Sequence, residues 1–141
     1  MNENNIELLR PFSNDGISTY AVLFRSNKRW GFIRSKDGCL SLPWYSCPES
    51  SCNSTVENAL MGIVFRATGA FEFDAKPIFD LEMNDNGKKL FGRIYVVELY
   101  SPPVKNELSF LGSGEITDDV NNVEFVRELL SSADVIANIY F

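Results

Sequence analysis

Acid–base or metal-assisted chemistry in this chain falls mainly to carboxylates. Glu49, Glu57, Glu98, Glu115, Asp118 and Asp119 are available, while histidine is absent. Three cysteines are present, Cys39, Cys47 and Cys52. A structural zinc site takes four ligands, and without histidine at least one would have to be a carboxylate, so no metal site is expected from the thiols. A Cys47–Cys52 disulfide is conceivable, but an intracellular chain keeps such a pair reduced. A thiol nucleophile needs a neighbouring base, usually histidine, so its absence argues strongly against that chemistry, and it excludes a Ser-His-Asp triad. Arg25, Lys28, Arg29, Arg34 and Lys36 crowd into twelve residues. Together they would suit a phosphorylated ligand, or simply solvate an exposed hairpin.

The segment from Leu42 to Ala70, LPWYSCPESSCNSTVENALMGIVFRATGA, has a Leu-Pro opening, a loop, a helix and a closing Thr68-Gly69-Ala70. This frame resembles the box of the Nudix hydrolases, written in that family as G-x5-E-x7-R-E-U-x-E-E-x-G-U with U aliphatic. Anchored on Gly69, the alignment puts Gly62 on the family's Arg and Ile63 on the Glu that follows it. Arg66 and Ala67 fall on the Glu-Glu pair, Ser54 on the earlier Glu, and Pro48 on the opening Gly. Trp44-Tyr45 stands where the family has Gly-Gly after Leu-Pro. The resemblance implies a sheet between helices and, in the family, cleavage of a diphosphate by a site holding Mg²⁺ or Mn²⁺ on those glutamates. Mg²⁺ requires hard oxygen ligands. Ile63 and Ala67 offer none, and Arg66 repels a cation. The resemblance therefore extends to fold, while the same residues argue against the family's hydrolysis.

The elements around the box follow from periodicity and punctuation. Ile6 to Phe12 reads as a short edge strand or a lead-in. Ser18 to Arg25 alternates and is rich in strand formers; Trp30 to Arg34 returns after a turn at Ser26 to Arg29, making a hairpin. Cys39 to Leu42 continues extended until Pro43, and Trp44 to Asn53 reads as loop. Ser54 to Ala67 is the helix, and Ser54-x-x-Glu57 is its capping box, which gives Glu57 a structural role ahead of any catalytic one. Val56, Leu60, Ile63 and Ala67 form an apolar stripe; Ala59, Met61, Val64 and Phe65 predict dry cover on a second face as well. Gly62, unfavourable in a helix interior, predicts close approach by another element. Strands follow over Ala70 to Asp74 and Pro77 to Met83. Asn84-Asp85-Asn86-Gly87 is a hairpin turn. Lys88 to Tyr100 is apolar on both faces, with Leu90, Ile94 and Val96 on one and Phe91, Tyr95, Val97 and Leu99 on the other, as in a central strand. Val104 to Asn122 reads as loop, Val123 to Val126 as a short strand, and Arg127 to Tyr140 as a final helix.

This order predicts an α+β fold, a Nudix-like α/β/α sandwich with a mixed sheet between helices, in a single domain over residues 1–141. Net charge is −6, and the segment from Asn106 to Phe141, with seven acids and one base, carries all of it. A nucleic-acid surface is not expected, since such binding follows local positive charge. No apolar run approaches the ~18 residues of a membrane span. The start, MNENNIELLR, lacks the basic and apolar regions of a signal peptide, and a cytoplasmic location is expected.

The resulting expectation is a binding or interaction module. A nucleotide-like ligand would lie between the strand of Arg93 and the loop of Trp44 and Tyr45, whose rings would stack a base or sugar, with Arg25 as a further ligand residue. One alternative is a divergent hydrolase with relocated acids, Glu57 or Glu115, where Glu115 lies in a late loop similar to one that supplies an acid in the family. Mg²⁺ or Mn²⁺ is expected only then. Another alternative is a homodimer or scaffold built on the apolar box helix and the tail from Ile136 to Phe141.

Overall fold

Two runs of strand-forming residues, Thr19–Ser26 (β2) and Lys88–Leu99 (β7), pair in parallel at the centre of the molecule. The computed structural model describes residues 5–9, 19–46, 56–105 and 107–141. The other strands are β1 (Asn5–Leu9), β3 (Arg29–Arg34), β4 (Leu40–Ser41), β5 (Trp44–Ser46), β6 (Phe73–Asp85) and β8 (Leu108–Leu111). The sheet runs β1-β6-β7-β2-β3-β4, with β5 added to β2 and β8 to β3. Every other strand pairing is antiparallel, so the sheet is mixed.

Helix α1 (Val56–Thr68) covers one face and α2 (Val123–Tyr140) the other. Because side chains alternate along a strand, β2 and β7 feed both cores. Val22 and Phe24 of β2, with Tyr95, Val97 and Leu99 of β7, pack under Leu60, Ile63, Val64 and Ala67 of α1. Ala21, Leu23, Ile94 and Val96 pack with Leu129, Leu130, Ala133 and Ala137 of α2. The expected sheet between helices, and the expected division of β7 between two cores, are what the structure has.

The tight turns are those the sequence marks. Asn27 and Lys28 both take positive φ between β2 and β3, as do Asn86 and Gly87 between β6 and β7, the backbone of twist-matched two-residue hairpins. Helix α1 stops at Gly69 (φ 74°), whose N–H donates to the Phe65 carbonyl at 2.8 Å. A Cβ at Gly69 would lie 2.3 Å from Val104 Cγ2, so the position excludes a side chain twice over.

Several boundaries differ from expectation. Trp44–Ser46 is strand rather than loop, because Ala21, Tyr20 and Thr19 of β2 offer it a free flank. Leu108–Leu111 is strand for the same reason, paired along β3 from Ile33 to Trp30. The two strands expected around Pro77 are one, with a register shift between Pro77 and Phe79; among the described residues β6 pairs there with β7 alone and absorbs the irregularity. Val123 to Val126 is the first turn of α2, because Val126 and Leu129 are buried together against the sheet. Around α1, Val64 joins the core stripe, while Met61 and Phe65 are exposed rather than covered. Among the described residues, no other element approaches Gly62; its nearest neighbour is Arg66 Nη1 at 3.7 Å from where a Cβ would be.

Candidate functional site

The box positions come first, since they decide whether a divalent ion has a seat. Ile63 and Ala67 are each 6% exposed and belong to the core beneath α1. They hold α1 against the sheet and present hydrocarbon at positions that the sequence resemblance would give to carboxylates. Arg66, on the last turn, is exposed and would add a positive charge. At these three described positions the side chains do not fit Mg²⁺ or Mn²⁺. Among the described residues, no group of three or more His, Cys, Asp or Glu stands close enough together to hold a metal. Pro48, Glu49, Ser54, Cys47, Cys52 and the Glu57 side chain lie outside the described residues, and so does the capping box assigned to Ser54 and Glu57.

Trp44 and Tyr45 are neighbours on β5 and therefore point to opposite faces of the sheet. The structure separates two rings that were expected to stack one ligand together. Trp44 sits opposite Ala21 on the α2 side. With Ser41, Leu42, Asn121, Asn122, Phe125 and Val126 it lines a cavity of about 190 Å³. Two chain segments build this cavity. Leu40 accepts from the Asn121 N–H at 2.8 Å and donates to the Asp119 carbonyl at 2.9 Å, tying β4 to the lead-in of α2. Asn122 then adopts a left-handed backbone (φ 56°, ψ 45°) and starts the helix without a side-chain capping bond. Asn121 Nδ2 donates to Ser41 Oγ at 2.6 Å. Among the described residues, no charged side chain lines the space. It offers an indole face, a phenyl ring, two carboxamides and a hydroxyl, a set suited to a flat, neutral, hydrogen-bonding ring.

Tyr45 lies on the α1 side opposite Tyr20. There Arg93 stands in register with Tyr20 on one flank and Asp80 on the other. Asp80 is fully buried and takes a two-pronged bond from Arg93, Nε at 2.6 Å and Nη2 at 3.2 Å. That bond holds the Arg93 guanidinium protonated above its usual range, against the partial burial that opposes its charge. Tyr20 meets Tyr95 edge to face, with centroids 5.9 Å apart. Burial pushes the Tyr45 phenol up, opposed by the Arg66 charge and reinforced by Glu107. Tyr45 and Arg93 thus share the face away from Trp44, with Tyr20 between them, and Arg93 is bonded to Asp80.

Arg25 is not part of either place. It is 5% exposed, with Nη1 donating to Glu98 Oε1 and Nη2 to Asn138 Oδ1, both at 2.8 Å, and it lies over the Trp30 ring. It fastens β2 and β7 to α2, and the expected role in ligand binding gives way to a structural one. The remaining basic residues disperse: Arg29 faces Glu115 at 3.7 Å, and Arg34 donates to the Gly38 carbonyl. Of the acids, Glu98 holds Arg25, Asp119 accepts from the Thr117 hydroxyl, and Asp118 stands 3.9 Å from Arg127. Glu115 accepts from the Gly112 N–H at 2.7 Å and closes its own 3₁₀ turn, Ser113–Glu115. The Cys39 thiol is pushed up by the Asp37 charge and by burial, the opposite of an activated nucleophile.

Sequence reasoning found Trp44 and missed the rest of its cavity. Asn121-Asn122 ahead of an apolar run was the available signal, since Asn is a helix-start residue that tolerates left-handed backbone.

Comparison with solved structures identifies the architecture. A pyrophosphohydrolase of Bacillus subtilis superposes over 77% of this chain and 72% of its own, with a TM-score of 0.60 and 16% identity. A Nudix-family hydrolase from Clostridium perfringens matches over 85% and 99%, with a TM-score of 0.58 and 12% identity. The Nudix hydrolase RenU of M. smegmatis matches over 89% and 96%, with a TM-score of 0.55 and 13% identity. No family model matches the sequence, and no curated protein sequence matches it. The chain has the Nudix fold, at identities that speak for fold alone. Among the described residues, no helix is long and apolar enough to cross a membrane.

Proposed function

We propose that this chain is a Nudix-fold binding module for a nucleotide-like small molecule, without the metal-dependent hydrolysis of the diphosphate-cleaving enzymes that share the fold. The packing of Ile63 and Ala67 into the core carries this conclusion. A catalytic divalent ion supplies both charge stabilisation and the attacking water, so hydrocarbon at its seat removes the reaction rather than slowing it. The cavity at Trp44 supplies the ligand class. At about 190 Å³ it is smaller than the roughly 300–1,000 Å³ of a pocket that swallows a whole ligand. It suits one ring, stacked on the indole and bonded by the carboxamides of Asn121 and Asn122, with sugar and phosphates left outside. The location that goes with this function is the cytoplasm.

A thermal-shift screen of nucleotides, run with and without Mn²⁺ and paired with a turnover assay on the same compounds, tests the proposal. A purine- or pyrimidine-bearing compound is expected to raise the melting temperature without Mn²⁺, without turnover, and without effect on Trp44→Ala. Turnover that requires Mn²⁺ and disappears in Glu115→Gln would instead establish a divergent hydrolase. Binding that survives Trp44→Ala would move the site elsewhere.

A further inference from the structure

The edge of α2 that borders the Trp44 cavity carries charge of one sign. A helix turns by about 100° per residue. The buried residues Val126, Leu129, Leu130, Ala133 and Ala137 therefore form one stripe, and Phe125, half-buried, lies along one side of it and lines the cavity. Glu124 precedes Phe125 and Glu128 follows it at i+3, so both stand on the outer side of that edge. Both are exposed, and among the described residues neither is in an ion pair. Arg127 lies about 200° round the helix from Phe125. There its Nη2 donates to the Ile116 carbonyl at 2.9 Å and faces Asp118 at 3.9 Å. On the opposite wall Ser41, Leu42 and Trp44 bring no charge, and Arg34, across from Leu40, turns its guanidinium to the Gly38 carbonyl.

The start of a helix ordinarily favours a phosphate. In α2 the first turn already holds Glu124, which answers the positive end of the helix, and Glu128 adds a second negative charge one turn on. A ring seated on the indole fills a space of about 190 Å³, which leaves its substituents at the rim beside these carboxylates. We infer that the occupant of this cavity is a nucleoside or a free base, a ring without phosphates, and that Glu124 and Glu128 disfavour the phosphorylated forms. The inference rests on the cavity being the ligand site, as proposed above, and narrows the ligand from nucleotide-like compounds to uncharged ones. The two carboxylates act through solvent, so the discrimination is moderate and weakens with salt.

Calorimetric titration with adenosine, guanosine, cytidine and uridine, each beside its 5′-monophosphate and 5′-diphosphate, tests this at low and at high salt. At low salt the best-binding nucleoside is expected to lose at least about threefold in affinity on gaining one phosphate, and more on gaining two. High salt is expected to narrow the gap. The double variant Glu124→Gln, Glu128→Gln changes two exposed positions and keeps the fold. It is expected to bind the nucleoside as the natural chain does and to bring the monophosphate to within about twofold of it. A 5′-phosphate that leaves Trp44-dependent affinity unchanged or strengthens it, or a gap that persists undiminished in the double variant, would overturn the inference while the binding-module reading stands. If no base-bearing compound binds, or if binding survives Trp44→Ala, both fall together.

Discussion

Tyr45 shows how one side chain reports the character of its face. Its phenol is raised first by burial, and the nearby Arg66 charge only partly offsets that. A raised folded value means that the neutral form is favoured in the native state. The associated stability is full below the ordinary tyrosine value of about 10 and is lost as pH climbs through the folded value. Two measurements follow from the sign. Ultraviolet titration of the folded chain should show a tyrosine that ionises later than the exposed ones, and Arg66→Gln should delay it further. The steepening of urea sensitivity above about pH 10 should be reduced in Tyr45→Phe; an unchanged slope would mean that Tyr45 is solvated. Arg25 teaches the reverse at the same scale. Its place in a basic cluster suggested a ligand, yet it shares parity with Ala21 and Leu23, which face the α2 core. The period of two along a strand carried that information, and the cluster in sequence obscured it.

Among the elements, the end of α1 is the most constrained. Gly69 combines positive φ with a Val104 methyl where a Cβ would go. A non-glycine residue in left-handed backbone costs roughly 1–2 kcal/mol, and the clash adds to it. Gly69→Ala should therefore lower unfolding stability by about 2–3 kcal/mol in urea melts. Adding Val104→Ala should recover part of the loss, whereas a single mutant near natural stability would show that Val104 swings away freely. That stop signal was legible from sequence, as were the Asn-Gly hairpin turn, the two-faced β7 and both helices. What was not legible depended on partners distant in sequence. Trp44–Ser46 and Leu108–Leu111 are too short to show a period, and they are strands because β2 and β3 have free flanks. The site divided likewise. Trp44 was recognised from its chemistry, but its cavity is completed by Asn121, Asn122 and Phe125 from the far end of the chain. The alternation that parts Trp44 from Tyr45 becomes readable only once β5 is known to be a strand.

For the molecule as a whole, one sheet serves two cores. Leu60 of α1 and Leu129 of α2 are buried at 4% and 0%, in clusters separated by the sheet and sharing no residue. Both clusters nevertheless draw on β2 and β7, whose alternate side chains enter each. Loss of either core therefore unseats strands the other needs, which makes the domain one cooperative unit rather than two layers melting in turn. Leu60→Ala and Leu129→Ala should each cost about 2–5 kcal/mol. Since the two side chains belong to clusters that share no residue, their effects in the double variant should add to within about 0.5 kcal/mol. Denaturant melts followed by tryptophan fluorescence and by far-ultraviolet circular dichroism should coincide for every variant. Trp30 in the α2 core makes fluorescence sensitive to that side, whereas circular dichroism sees both helices. Separate transitions in Leu60→Ala, with circular dichroism changing before fluorescence, would mean that α1 leaves while the α2 core survives. A coupling well above 0.5 kcal/mol would mean instead that strain passes through the sheet, and the two faces could then no longer act independently.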